Sequence, residues 1–238
     1  MRQMRSSRSS FSALVLAAAV ILLVPAGAMG ARADSDRPSP QRIVIGLDLS
    51  KSNPLVTSRQ YAASVAQYVS EMVKALPLAS SVMLRTFGTY EGDRNTLRVD
   101  RSISSLPDEK PAAVAKLVRE IIANVPKLVR NGTLDAQNST NILAFLDNMS
   151  DVVDCTEMST NIVLISDGME DSEYAKLSNP KDHLPRPTSR IYKNCGELQI
   201  LGLGRGQRSP AATQRIRREW ENWARAAGFR SFVGLNSW

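Results

Sequence analysis

Three short apolar runs, Ile43-Val44-Ile45-Gly46-Leu47, Asn161 to Ser166 and Leu198 to Leu203, constrain the fold of this chain more than any other feature. Each is bounded by turn residues, and none alternates polar with apolar. Such runs read as strands buried on both faces. The segments between them carry a different period. Tyr61, Val65, Tyr68, Val69, Met72, Val73 and Leu76 fall three and four apart, which predicts a helix over about 57–76. Val114, Leu117, Val118, Ile121 and Val125 repeat that spacing behind Pro111, a favourable first helical residue. A further helix is expected near Thr140, with Ile142, Leu146, Met149 and Val153 on one face. Buried strands alternating with amphipathic helices predict an α/β fold. Its core is a doubly wound, mainly parallel central sheet with helices on both faces.

The remaining segments fill out that sheet. Ser81 to Phe87 reads as a strand stopped by Gly88, and Thr96 to Ile103 alternates as a half-exposed, antiparallel edge strand should. Residues 172–196 hold three prolines and read as loop. Ser209-Pro210 is a cap followed by a proline, so a helix should start there and stop at Gly228. Ile216, Trp220, Trp223 and Ala227 form its inner stripe. Arg215, Arg217, Arg218 and Arg225, with Glu219 and Glu221, form a solvated face, with a polyanion site as the alternative. Phe229 to Leu235 adds a last strand. Gly202-Leu203-Gly204-Arg205-Gly206 lacks the G-x-G-x-x-G spacing and reads as a flexible connection rather than a nucleotide loop.

The first 33 residues belong to a different problem. Arg2, Arg5 and Arg8 precede a 12-residue apolar core, Ala13 to Val24, and Ala31-Arg32-Ala33 offers an A-x-A cleavage site. That layout is a secretory signal peptide, with an uncleaved anchor as the alternative, and the core is shorter than the ~20 residues of a membrane span. Residues 1–33 are therefore read as a signal, 34–41 as a linker and 42–238 as the domain. Four of the seven excess positive charges lie in that signal, which holds no acid, so the remainder is only +3. A nucleic-acid partner is not expected at that charge. No Cys precedes Cys155, so no lipid-bearing Cys follows the signal, and no second long apolar run predicts a membrane span. The expected compartment is the periplasm, with secretion as the alternative.

Cys155 and Cys195 each precede an expected strand, near the amino-terminal edge of the sheet. Neighbouring strands about 4.8 Å apart would allow a disulfide, the expected state in an exported protein. Two free buried thiols are the alternative.

Asp48-x-Ser50-x-Ser52 follows the first apolar run directly. One carboxylate and two hydroxyls thus leave the carboxyl end of a strand, the edge where ligands sit in open α/β sheets. Thr140 opens a helix and Asp167-Gly168 ends a strand, so both belong on the same edge. Oxygen donors without nitrogen or sulfur suit a hard cation. Read singly, each is also an ordinary turn or cap residue. Glu170, Asp171 and Glu173, just beyond, read as solvated loop charges.

With those residues in place the chain resembles a von Willebrand factor type A domain over roughly 42–235. The family's metal-ion-dependent adhesion site is written D-x-S-x-S, then Thr, then Asp. Here those are Asp48, Ser50, Ser52, Thr140 and Asp167. Phe87-Gly88-Thr89 and the Ile-Ser-Asp-Gly of 165–168 belong to the likeness, and Asn138 stands where the family often has Gly. The resemblance implies a Rossmann-like type A fold and bound Mg²⁺, with Mn²⁺ or Ca²⁺ as substitutes. It implies neutral oxygens from Ser50, Ser52 and Thr140, and Asp48 and Asp167 acting through coordinated water. It also implies an exported adhesion or scaffold module, not an enzyme, whose protein partner brings an acidic residue to the ion. The alternative is a Mg²⁺-dependent hydrolase or phosphatase on the same strand ends. Aspartate-based phosphatases resemble D-x-D, however, and position 50 is Ser. His183, the single His, lies in the proline-rich loop, so neither a His base nor a zinc cluster is expected.

Overall fold

The computed structural model describes residues 38–89 and 97–238. The signal segment, residues 34–37 of the lead-in and Thr96 lie outside the described residues. Strand β1 (Gln41–Asp48) is hydrogen-bonded on both sides, in parallel to β2 (Ser81–Phe87) and to β4 (Ser159–Ile165). That central position explains its unbroken apolar run, because neither face meets water. Ile45 lies opposite Leu84 on one neighbour and Val163 on the other. Successive residues then divide between two cores. Ile43, Ile45 and Leu47 join one, and Val44 joins the other.

β5 (Glu197–Leu201) and β6 (Ser231–Leu235) extend the sheet in parallel beyond β4. β3 (Arg98–Ser102) closes the opposite edge antiparallel to β2, giving six strands in the order β3-β2-β1-β4-β5-β6. The chain winds outward from β1 to β3, then restarts at β4 on the other side of β1. The switch point therefore falls between β1 and β4. The α/β doubly wound architecture with one antiparallel edge strand is as the sequence implied.

Helices α1 (Pro54–Thr57), α2 (Arg59–Lys74) and α3 (Pro111–Arg130) cover one face, and α4 (Ile142–Ser150) and α5 (Pro210–Ala227) the other. The helix expected over 57–76 is α2, and the short α1 before it, which overlaps that span only at Thr57, was not expected. Ser58 adopts an extended backbone (φ −101°, ψ 109°) and its hydroxyl caps α2 by accepting from Tyr61 N at 3.2 Å. The inward stripe of α3 runs through Val114, Val118, Ile122 and Val125, with Leu117 and Ile121 half-buried beside it. α4 starts at Ile142 with Asn141 as its cap, rather than at Thr140. Gln41 belongs to β1 rather than to the lead-in, and β6 starts at Ser231 rather than Phe229.

α5 is as expected. Ser209 Oγ accepts from Ala212 N, Pro210 occupies the first turn, and Gly228 closes the helix with a left-handed φ of 102°. Its stripe of Ile216, Trp220, Trp223 and Ala227 is buried. Cys155 and Cys195 are disulfide-bonded with their Cα atoms 5.0 Å apart, at the amino ends of the adjacent strands β4 and β5. Among the described residues no helix is long and apolar enough to cross a membrane.

Candidate metal centre

Asp48 is the last residue of β1 and is fully buried. Its Oδ1 accepts from Ser50 N at 2.8 Å and its Oδ2 from Ser166 Oγ at 2.7 Å. Both carboxylate oxygens are thus held by fixed donors. The chain turns after Asp48 so that Ser50 Oγ and Ser52 Oγ lie 3.3 Å apart. Asn53 closes that turn, with no exposure of its own. Its Nδ2 donates to Asp48 O and to Ile165 O, each at 2.9 Å, while its Oδ1 accepts from Leu55 N at 3.1 Å. One amide therefore ties the end of β1 to the end of β4 and caps α1. Asn53→Ala would leave those buried groups without their partner, at about 2 kcal/mol. A urea unfolding curve should show a lower midpoint with an unchanged slope.

Thr140 reaches the same edge through backbone pairing. Lys51 N donates to Gln137 O at 2.8 Å, and Gln137 N donates to Leu49 O at 2.9 Å. Thr140 and Asp171 exchange both backbone bonds, at 3.2 and 2.9 Å, and Asn141 N donates to Gly88 O at 2.8 Å. The loop is thereby tied to the exits of β1, β2 and β4. Asn138 does not adopt a left-handed backbone; its Oδ1 accepts from Lys51 Nζ at 2.7 Å.

Asp167 lies two residues beyond β4. Its Oδ1 accepts from Met169 N at 2.9 Å, and its carbonyl accepts from Gly204 N at 2.8 Å. Gly168 has φ 74°, a left-handed backbone that favours glycine, and a Cβ there would stand 2.9 Å from Leu203 Cδ1. The buried Trp220 indole N–H donates to Gly168 O at 2.8 Å, which lets a core side chain of α5 fix the turn beside Asp167.

Glu170 corrects the sequence reading. It is fully buried rather than a solvated loop charge. Its Oε2 accepts from Ile142 N and Leu143 N at 2.9 and 3.2 Å, and its Oε1 accepts from Ser172 Oγ at 2.5 Å. It satisfies orphan donors at the start of α4, where the helix dipole favours an anion. The sequence reading assigns Glu170 to the solvent and gives no role to Asn53. Asn53-Pro54 is itself a cap-and-proline signal. Glu170 carries no comparable mark among its acidic neighbours.

Ser50, Ser52, Thr140 and Asp167 line one cleft of about 460 Å³, with Asp48 enclosed behind it. The sequence-derived donors therefore converge on one place. His183 is not among the lining residues; its Nδ1 pairs with Glu219 Oε1 at 2.8 Å, on α5. Burial pushes the Asp48 carboxyl up to about 6, against hydrogen bonds from Ser166 and Ser50 that pull it down. Burial, and then the charge of Asp48, push Asp167 up to about 7. Glu170 rises to about 7, again by burial. Among the described residues neither Asp48 nor Asp167 makes an ion pair. Two adjacent carboxylates that make no ion pair, facing three hydroxyls, are a donor set that fits a hard divalent cation.

No protein-family profile matches the chain, and no characterised protein matches it in sequence. Among solved structures it is similar to the pilus adhesin SpaC of Lactobacillus rhamnosus GG in an open conformation. That likeness has a TM-score of 0.48 and 14% identity, over 84% of this chain and 28% of that one. It is also similar to the human COPII-coat protein Sec24c, with a TM-score of 0.39 and 12% identity, over 85% of this chain and 30% of that one. The chain spans less than a third of the length of either structure.

Proposed function

We propose that residues 42–238 form an exported von Willebrand factor type A-like domain that holds Mg²⁺ and docks a protein partner through an acidic side chain. The observation that carries this reading is the shared cleft: Ser50, Ser52, Thr140 and Asp167 on its wall, and Asp48 immediately behind. Ser50, Ser52 and Thr140 offer neutral oxygens to the ion. Asp48, with both oxygens already accepting hydrogen bonds, holds Ser50 in place and balances the ion's charge from behind. Asp167 supplies the second negative charge at the wall. Few charged direct ligands leave the ion electrophilic, and Mg²⁺ requires near-octahedral oxygen coordination. When bound, the ion supplies a hard centre that takes a carboxylate oxygen from the partner.

The disulfide is compatible with an oxidising compartment and supports export behind a signal over 1–33. We place the protein in the periplasm, with secretion as the alternative. Affinity capture from the native envelope tests the function. A partner should be retained with Mg²⁺, released by EDTA, and absent with Asp48→Ala. Equal retention in all three conditions refutes the metal-docking role.

A further inference from the structure

The connection between β5 and α5 contributes Arg205, Gly206 and Gln207 to the lining of the same cleft. Gly202, Gly204 and Gly206 all adopt positive φ (107°, 74° and 81°), which carries the chain outward and leaves Arg205 at the rim. Arg205 is held there by groups that leave its fork available. Its guanidinium carbon sits 4.7 Å above the Tyr61 ring and 5.6 Å from the Trp238 ring, and its Nε donates to Asn236 O at 2.9 Å. Tyr61 is itself pinned, since its hydroxyl donates to Leu201 O at 3.1 Å. Among the described residues neither Nη atom makes a hydrogen bond or an ion pair.

Arg205 also borders a second cleft, of about 720 Å³, which adjoins the first and shares Ser52, Arg205, Gly206 and Gln207 with it. The two clefts differ in charge. The metal cleft is lined by Asp167, Glu170 and Asp171 as well as Lys51 and Arg205. The second is lined by Arg205 and Arg208 and by no Asp or Glu. An acidic segment lying across both therefore passes from a cation-binding wall to a basic trough. A guanidinium already packed over two rings and anchored through Nε loses little freedom on binding a carboxylate bidentately.

We infer that Arg205 receives a second carboxylate of the same partner segment whose first carboxylate completes the metal shell. The recognised feature is thus an acidic cluster rather than a lone acid, an inference that rests on the metal-docking reading above. Two labelled peptides test it by fluorescence anisotropy at physiological salt, one with four consecutive Asp and one with a single Asp among Gly. With Mg²⁺ the four-Asp peptide should bind wild-type protein about forty-fold more tightly, about four-fold from offering four equivalent acids and about ten-fold from one charge-assisted bidentate contact. In Arg205→Gln that preference should fall to about the four-fold set by having four equivalent acids. In Arg205→Lys, which keeps the charge without the fork, it should be intermediate.

An equal preference in wild type and Arg205→Gln overturns the inference. So does a parallel loss of both affinities with a lowered melting temperature, which would make Arg205 a structural pin. Mg²⁺-dependent binding of the single-Asp peptide without a stronger four-Asp preference overturns this inference alone. Binding of neither peptide more tightly in Mg²⁺ than in EDTA overturns the metal-docking reading along with it.

Discussion

Millimolar Mg²⁺ should raise the melting temperature of the wild-type protein by about 5–10 °C. An ion present at about a hundred times its dissociation constant contributes about 2.7 kcal/mol. In a domain of this size each kcal/mol moves the midpoint by about 2–4 °C. The shift should vanish in Asp167→Asn, which keeps the side-chain shape and removes a charge at the wall. It should also depend on pH in a defined direction. With no ion bound, burial pushes Asp48 up to about 6, and burial with the charge of Asp48 pushes Asp167 up to about 7, above the ordinary carboxylate value. Between roughly pH 4 and 7 the fold therefore binds more protons than the unfolded chain, and these two groups lower its stability as pH rises. Mg²⁺ opposes that loss, so the shift should grow from pH 5 to pH 8. A flat response to Mg²⁺ across that range would exclude the metal centre. Differential scanning fluorimetry with EDTA-treated protein reads all of it.

Removing the disulfide should be the costliest change on the opposite edge of the sheet. Cys155 and Cys195 close a loop of 40 residues, which the chain-entropy account values at about 4 kcal/mol. Reduction of the wild type, or the double substitution Cys155→Ala and Cys195→Ala, should lower the melting temperature by about 8–16 °C. The bond joins the amino ends of β4 and β5, whereas the oxygen donors sit at the carboxyl ends. Below its new midpoint, the double variant should therefore keep its response to Mg²⁺. An unchanged midpoint would mean that the folded sheet alone holds the loop closed.

Much of the site was legible because its parts sit at strand ends, where apolar runs stop abruptly. Asp48 closes the run that becomes β1, and Asp167 follows the run that becomes β4. Thr140 was placed on the right edge although the helix begins two residues later. Its position comes from backbone pairing with Asp171 and from the tie between Asn141 and Gly88. Asn53 went unnoticed because its decisive partner, Ile165, is 112 residues away. Glu170 was misread because an acid in a run of acids looks solvated unless the start of α4 is known to face it. The break at Ser58 was written in the chain as a second cap residue soon after Asn53-Pro54. The apolar spacing that marks α2 begins only at Tyr61 and is silent about the turn before it.

The buried Glu170 changes what the carboxyl edge of this sheet can accept. In doubly wound proteins the helix starts along that edge are ready-made cradles for phosphate groups. At α4 the cradle is filled by the protein's own side chain, which takes the donors of Ile142 and Leu143. A phosphate arriving there would have to displace a covalently tethered competitor and then meet Asp48 and Asp167. The edge has in effect been rewired: an architecture that commonly receives anions from solution carries its anion within the chain, and the carboxylates beside it favour a cation over a second anion.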